Sequence, residues 1–331
     1  MEQPGSSPTL DHDCCHALPS TILGYILRFS GRHQITLAAL SVVVFLLNTI
    51  PLEIQRRIVN DAVHTGALNS IVWLALGYAG VALAEGACKL AMNIYRGWVS
   101  ESSVRHLRMT IHGAANGASD SPSADLQGIE VSLILSEVEP IGSFVGISTS
   151  EPLLQGGILL SVFAYMIHLQ PEIALVSLLV FSPQLIFVPL MQRAINRRVT
   201  SRVEALREVS SGLIDPDHGR RHAATQAQRM EVVFTLNMGI YKLKFTMNFL
   251  MNLMHHVGVA VVLGVGGWYA ASGLVQVGTV VAFVAGLAKV NDPWGDIVNW
   301  YREATVNGVK YRMIAEAFER LVQLRPARGS G

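Results

Sequence analysis

Two long uncharged apolar runs constrain this chain more than any other feature. One occupies residues 173–191, and the other occupies residues 245–287, where 43 successive residues include no Lys, Arg, Asp or Glu. About 20 helical residues, at 1.5 Å each, cross a hydrocarbon core of roughly 30 Å. The second run is about twice as long as one span requires, so it predicts two spans with a bend near Ala271-Ser272-Gly273. Runs of this length predict a membrane protein.

The segment between these runs, residues 193–244, is strongly basic. It contains ten of the 25 Lys and Arg residues of the chain, and loops of this kind stay on the cytoplasmic side of a membrane. Apolar residues recur at helical spacing between residues 195 and 213. The pattern stops at the turn-forming sequence Asp215-Pro216-Asp217-His218-Gly219. The segment therefore predicts a cytoplasmic helical hairpin with two arms of about 33 Å each.

The rest of the chain completes an all-α prediction of six transmembrane helices with long cytoplasmic helical extensions. Spans are predicted at 35–54 and 71–90, a second hairpin has its tip near 113–123, and a third span ends near residue 169. An amphipathic segment at 19–32 indicates a helix along the inner membrane surface. With both termini inside, 23 of the 25 Lys and Arg residues are cytoplasmic, and only Arg56 and Arg57 lie outside.

These predictions define one transmembrane domain at 19–322. It lies between an N-terminal tail at 1–18, predicted to be disordered, and a short C-terminal tail at 323–331. The expected location is the inner (cell) membrane.

The composition agrees with this class of protein and disfavours others. Half of the residues are hydrophobic and 15% are charged, whereas a soluble domain usually has about 25% charged residues. The net charge of +1 argues against a nucleic-acid partner, because nucleic-acid-binding proteins concentrate basic residues on one face. The three cysteines indicate no disulfide framework. The cluster His12-Asp13-Cys14-Cys15-His16 lacks a second ligand cluster, so we assign no metal site.

Polar residues within the apolar helices are candidates for a translocation path. A charge at mid-bilayer costs roughly 2.5–3.5 kcal/mol, so it usually faces the bundle interior or water. Two stripes at helical spacing fit this description: Asn248, Asn252 and His255 on the fifth span, and Lys289, Asp292, Asp296 and Asn299 on the sixth. Hydrogen bonding between helices explains the first stripe equally well, and a solvated helical extension explains the second. A metal or proton site that combines His255 and His256 with the two Asp residues is a further hypothesis.

Two other pairs of polar residues have simpler interpretations. Glu85 and Lys89 are four residues apart, a spacing that favours an ion pair on one helix face. Glu151 and Gln155 are predicted to line a wetted inner vestibule.

Several short motifs resemble the transmembrane domain of ATP-binding cassette (ABC) exporters. In chain order they are Ile58-Val59-Asn60-Asp61-Ala62, Ser136-Glu137-Val138-Glu139-Pro140-Ile141, Gln170-Pro171 and Gly273-Leu274-Val275-Gln276-Val277-Gly278. Residues 20–322 are similar to this domain in topology as well. The resemblance implies a permease that forms a dimer and whose two cytoplasmic tips carry coupling helices, which dock on nucleotide-binding domains.

By position in this resemblance, coupling to an ATPase falls on the two hairpin tips. The candidate residues are Asn116, Asp120 and Ser121 at the first tip, and Ile214, Asp215, Asp217, His218, Arg220 and Arg221 at the second. The first tip lacks the aromatic-acidic pair that is usual in the family, which leaves its register open.

No phosphate-binding loop occurs in the sequence. The pattern Gly-x-x-x-x-Gly-Lys-Ser/Thr is absent, and so is any Gly-Lys pair. We therefore expect no enzymatic activity and no cofactor on this chain, with ATP and Mg²⁺ bound by a separate ATPase subunit. The other expected partners are a second transmembrane subunit, identical or not, and the lipid bilayer.

Two alternatives to the permease stay open, and the sequence does not indicate a substrate. In the first alternative, the chain is a relic that has lost its ATPase domain and transports nothing. In the second, it is a membrane scaffold or ATP-independent channel that reuses the fold.

Overall fold

The computed structural model describes residues 18–64, 66, 68–116, 138–214 and 220–323. Its six long helices are α1 (Ile22–His64), α2 (Leu68–Asn116), α3 (Ser150–Leu169), α4 (Pro171–Ile214), α5 (Arg220–Ala271) and α6 (Val277–Gln323). Residues 138–147 are also helical, and a turn at 148–149 separates them from α3. The all-α prediction is confirmed for these residues.

Among the described residues, five stretches of helix are long and apolar enough to cross a membrane. They are Ile22–Val63, Leu68–Gly113, Val138–Leu169, Pro171–Leu206 and Ala227–Ala271. Helix α6 does not reach this level, because its apolar stretch at 277–288 covers only about 18 Å before Lys289 interrupts it. The structure is thus consistent with a multi-pass membrane protein, and the sixth span stays a prediction.

Charged residues mark the ends of the apolar zone on three helices. No charged residue occurs between Arg32 and Glu53 on α1, between Glu151 and Glu172 on α3 and its connection to α4, or between Glu172 and Arg193 on α4. Each interval is about 30 Å long, which equals the thickness of a hydrocarbon core.

Prolines interrupt the backbone hydrogen bonding of three helices, namely Pro51 in α1, Pro183 and Pro189 in α4, and Pro293 in α6. A proline has no N–H, so the carbonyl four residues earlier loses its helical partner. Before Pro183, the hydroxyl of Ser182 donates to the carbonyl of Leu179 at 2.8 Å. This side chain replaces the missing donor.

The chain divides into two compact units. Unit 1 takes Met1–Phe45, Leu83–Leu154 and Asn299–Gly331, and unit 2 takes Leu46–Ala82 and Gln155–Val298.

The core of unit 1 explains why the amphipathic segment near the N-terminus does not form a separate surface helix. The segment continues directly into α1, and the side chain of Tyr25 is only 2% exposed. Its hydroxyl lies 3.2 Å from Nδ1 of His106 on α2, and its ring packs on the ring of Tyr311 on α6. The apolar face that amphipathicity assigned to the membrane surface is therefore buried against other helices.

The core of unit 2 is built from α1, α3, α4, α5 and α6. Its fully buried side chains include Leu52, Met166, Ile173 and Phe283. At the start of α6, a Cβ on Gly278 would lie only 2.2 Å from the carbonyl oxygen of Arg56. Only glycine fits this close approach, which fastens α6 to α1.

Candidate functional site

The polar stripe on α6 is divided between packing contacts and exposed positions. Nζ of Lys289 donates to the carbonyl of Asn48 at 2.6 Å and to its Oδ1 at 3.2 Å. Oδ2 of Asp296 accepts a hydrogen bond from Nε2 of Gln155 at 3.0 Å. Asp292 is exposed. Two of the stripe's charges therefore bind α1 and α3 within unit 2.

The last residue of this stripe, Asn299, belongs to unit 1 and is exposed. The neighbouring Trp300 packs differently, because its ring nitrogen donates to the carbonyl of Ser148 at 3.0 Å.

The stripe on α5 is also divided. Asn248 and Asn252 are exposed, whereas His255 is half-buried. His255 lines a small cavity together with residues of α4 and α6, among them Gln184 and Asn291. The structure therefore brings one member of the predicted stripe to a polar cluster, and leaves the other two exposed.

Sequence reasoning did not find Gln184 or Asn291. Gln184 is 2% exposed, although it lies in an uncharged apolar run, and Asn291 lies off the helical stripe that singled out its neighbours. A usable signal was present for Gln184. A polar amide in an otherwise apolar span is costly unless another group bonds to it.

A buried ion pair is the main polar feature of unit 1. Nη1 of Arg96 donates to Oε2 of Glu151 at 2.7 Å, with side chains 12% and 18% exposed. Glu151 thus pairs with α2. The inner-vestibule prediction placed Glu151 and Gln155 together, but Gln155 bonds to Asp296 in unit 2.

The carboxylate of Glu53 binds both Arg56 and Arg57, the two arginines that the sequence analysis placed outside the membrane. Glu53 accepts from Nε and Nη2 of Arg56 and from Nε of Arg57, all at 2.7 Å. The hydroxyl of Tyr165 on α3 donates to the same carboxylate at 2.7 Å. This cluster ties α1 to α3 at one end of the bundle.

Glu85 and Lys89, the expected ion pair on α2, differ in exposure. Glu85 is half-buried and Lys89 is exposed.

The candidate coupling residues lie at helix ends or outside the described residues. Asn116 ends α2, Ile214 ends α4, and Arg220 and Arg221 begin α5. Asp120, Ser121, Asp215, Asp217 and His218 lie outside the described residues.

Within the described part of the chain, no group of three or more His, Cys, Asp and Glu residues could hold a metal ion. The rings of His255 and His256 lie 5.5 Å apart. The hypothesis of a metal site that joins them to Asp292 and Asp296 thus finds no support there.

Comparison with known proteins adds no assignment, since no protein-family model matches the chain and no curated protein matches it.

Proposed function

We propose that this chain is the permease part of an ABC exporter-type transporter. It pairs with a second transmembrane subunit and is driven by an ATPase domain that lies outside these 331 residues. The tips of its cytoplasmic hairpins couple the permease to that ATPase domain.

The paired arms of α4 and α5 carry this proposal. Residues 193–214 of α4 and 220–244 of α5 are helical, and these stretches are about 33 and 37 Å long beyond the uncharged zone. Nη1 of Arg202 on α4 donates to Oδ1 of Asn237 on α5 at 3.4 Å. A Cβ on Gly239 would lie 3.2 Å from the side chain of Arg198, so glycine lets this arginine lie against α5. The arms therefore pack on each other about 7–14 Å beyond the apolar zone.

A second long extension supports the same proposal. Helix α2 continues past Arg96 to Asn116, about 30 Å beyond that arginine. Its side chains Val99, Val104, Leu107 and Ile111 are at most 2% exposed. A passive pore or channel needs no such ordered helix outside the bilayer. A permease that receives its driving force from a soluble domain does.

The contacts of α6 favour its assignment as the sixth span. Lys289 and Asp296, which are partly buried, bond to residues of α1 and α3, which removes much of the cost of placing them in a bilayer. Six spans with both termini inside follow, by the positive-inside rule. Asp292, Asn248 and Asn252 stay as candidates for the translocation path.

A loop replacement tests the coupling role. Residues 215–221 are replaced by a Gly/Ser linker of equal length, and residues 65–67, in the short α1–α2 connection, are replaced in a matched control. We expect both variants to insert into membranes, because neither change touches a span. Only the first should lose co-purification with the co-expressed ATPase subunit and stimulation of its ATPase activity in proteoliposomes. Undiminished binding and stimulation would favour the scaffold, channel or relic instead.

A further inference from the structure

The cavity between α4, α5 and α6 is small and partly lined by polar residues. It lies within unit 2 and has a volume of about 10 Å³, which is room for the centre of about one water molecule. Its polar lining residues are Ser177, Gln184, His255 and Asn291. Each of the three helices contributes at least one of them.

On α4 and α5, the cavity lies near the middle of the apolar zone. Gln184 precedes Arg193, the first charge of the α4 arm, by about 14 Å of helix, and His255 follows Lys244 on α5 by about 17 Å. Both values are close to half of a hydrocarbon core of roughly 30 Å. Lipid tails offer no hydrogen-bond partner at this depth, so a buried polar group here depends on a partner within the protein or on bound water.

Two oxygens at the cavity have no such partner among the described residues. These atoms are Oε1 of Gln184 and Oδ1 of Asn291, and both are buried. Gln184 as a whole is 2% exposed. The hydroxyl of Ser177 already donates to the carbonyl of Ile173 at 2.8 Å, so at the cavity it can only accept. Residues with three acceptor oxygens therefore line this space, and two of these oxygens lack a donor among the described residues.

We propose that this cavity binds one water molecule, which donates to the amide oxygens of Gln184 and Asn291. A water fits because the volume suits one, and because its two hydrogens match two acceptors on different helices. The lining offers no carboxylate, the group that hard cations prefer. The water joins α4 to α6 beside Pro183 and Pro293, where each helix already lacks one backbone hydrogen bond.

A double-mutant cycle tests the occupant through the melting temperature of the purified protein. Gln184→Leu and Asn291→Leu each remove one acceptor and leave the other side of the water unpaired, so each should lower Tm by roughly 2–4 °C. The double variant should lose less than the sum, because the oxygen that each single change strands is gone. Asn252→Leu, an exposed amide on α5, is the control and should combine additively with Gln184→Leu.

An empty cavity predicts the opposite sign. Each single change would then remove an unpartnered oxygen, so Tm would rise or stay the same, the two effects would add, and the proposal would be overturned.

The wild-type protein gives a second test that does not depend on variants. Its Tm is measured in sodium, potassium and choline chloride at equal ionic strength. Equal values support water, and a rise specific to sodium or potassium that Asn291→Leu abolishes would show that a cation occupies the site and would overturn the assignment.

Discussion

The two halves of α2 differ in how much of their surface is buried. In the half before Lys89, no side chain of the described residues is buried, and Trp73 and Leu83 are 69% and 77% exposed. In the half after Arg96, four apolar side chains and the hydroxyl of Ser103 are at most 2% exposed. The more apolar half is thus the more exposed one.

This reversal shows that the surroundings of the helix change along its length. In water, apolar side chains are driven into a core. Against lipid tails that drive is absent, because the tails are as apolar as Leu. The change near 89–96 is consistent with a membrane boundary on α2. Lipid or a second transmembrane subunit would cover the exposed half under the proposed function.

The largest expected loss of stability comes from breaking the ion pair of Arg96 and Glu151 in the buried half of α2. Glu151→Gln leaves the charge of Arg96 uncompensated, and two of its guanidinium nitrogens are already buried without a partner within the described residues. Removing one member of a buried pair costs about 3–5 kcal/mol. The double variant Arg96→Met, Glu151→Leu should recover much of this loss in denaturant unfolding. A double variant as unstable as the single one would contradict the account.

Alanine substitutions sharpen the comparison within one helix. Leu107→Ala opens a cavity in the core of unit 1, where Leu107 is 0% exposed, and should cost about 2–5 kcal/mol. Leu83→Ala, the matched change in the exposed half, should alter the free energy of unfolding by less than about 0.5 kcal/mol. Equal losses would mean that both halves are packed alike.

A charge substitution tests whether lipid or water surrounds the exposed half of α2. Leu83→Arg should cost about 2.5–3.5 kcal/mol for insertion if lipid surrounds this position. A glycosylation-tagged insertion assay would show the defect, with Met109→Arg as the control, because Met109 is 59% exposed beyond the boundary. Normal insertion of Leu83→Arg would place this half in water.

The smallest expected effect lies where α6 meets the N-terminal end of α1. The hydroxyl of Tyr311 donates to the carbonyl of Pro19 at 2.9 Å, so Tyr311→Phe should cost about 1 kcal/mol. Burial also raises the pKa of Tyr311. The folded state keeps this proton at a pH where the unfolded state releases it, so stability should fall as pH rises above about 10. Tyr311→Phe should weaken that fall, and an unchanged profile would exclude Tyr311 as its cause.

Much of the helical layout could be predicted from the sequence, because uncharged stretches of bilayer length and basic connections are local features. The path of the chain near the N-terminus could not be predicted. Tyr25 is buried by His106 and Tyr311, which are distant in sequence, so its amphipathic pattern was assigned to a membrane surface. The cavity at Gln184 and Asn291 was missed for a related reason, since the partner of a polar group in a span is set by the packing of other helices.

The membrane topology is tested most directly by cysteine labelling at two exposed positions of α5. Glu231 lies on the predicted cytoplasmic arm and Ser272 lies just after the opposite end, about 60 Å away along the helix. In a background in which Cys14, Cys15 and Cys88 are replaced by Ser, an impermeant thiol reagent should label Ser272→Cys in intact cells. It should label Glu231→Cys only after permeabilisation. Labelling of Glu231→Cys in intact cells would contradict a cytoplasmic hairpin and, with it, the proposed coupling to an ATPase.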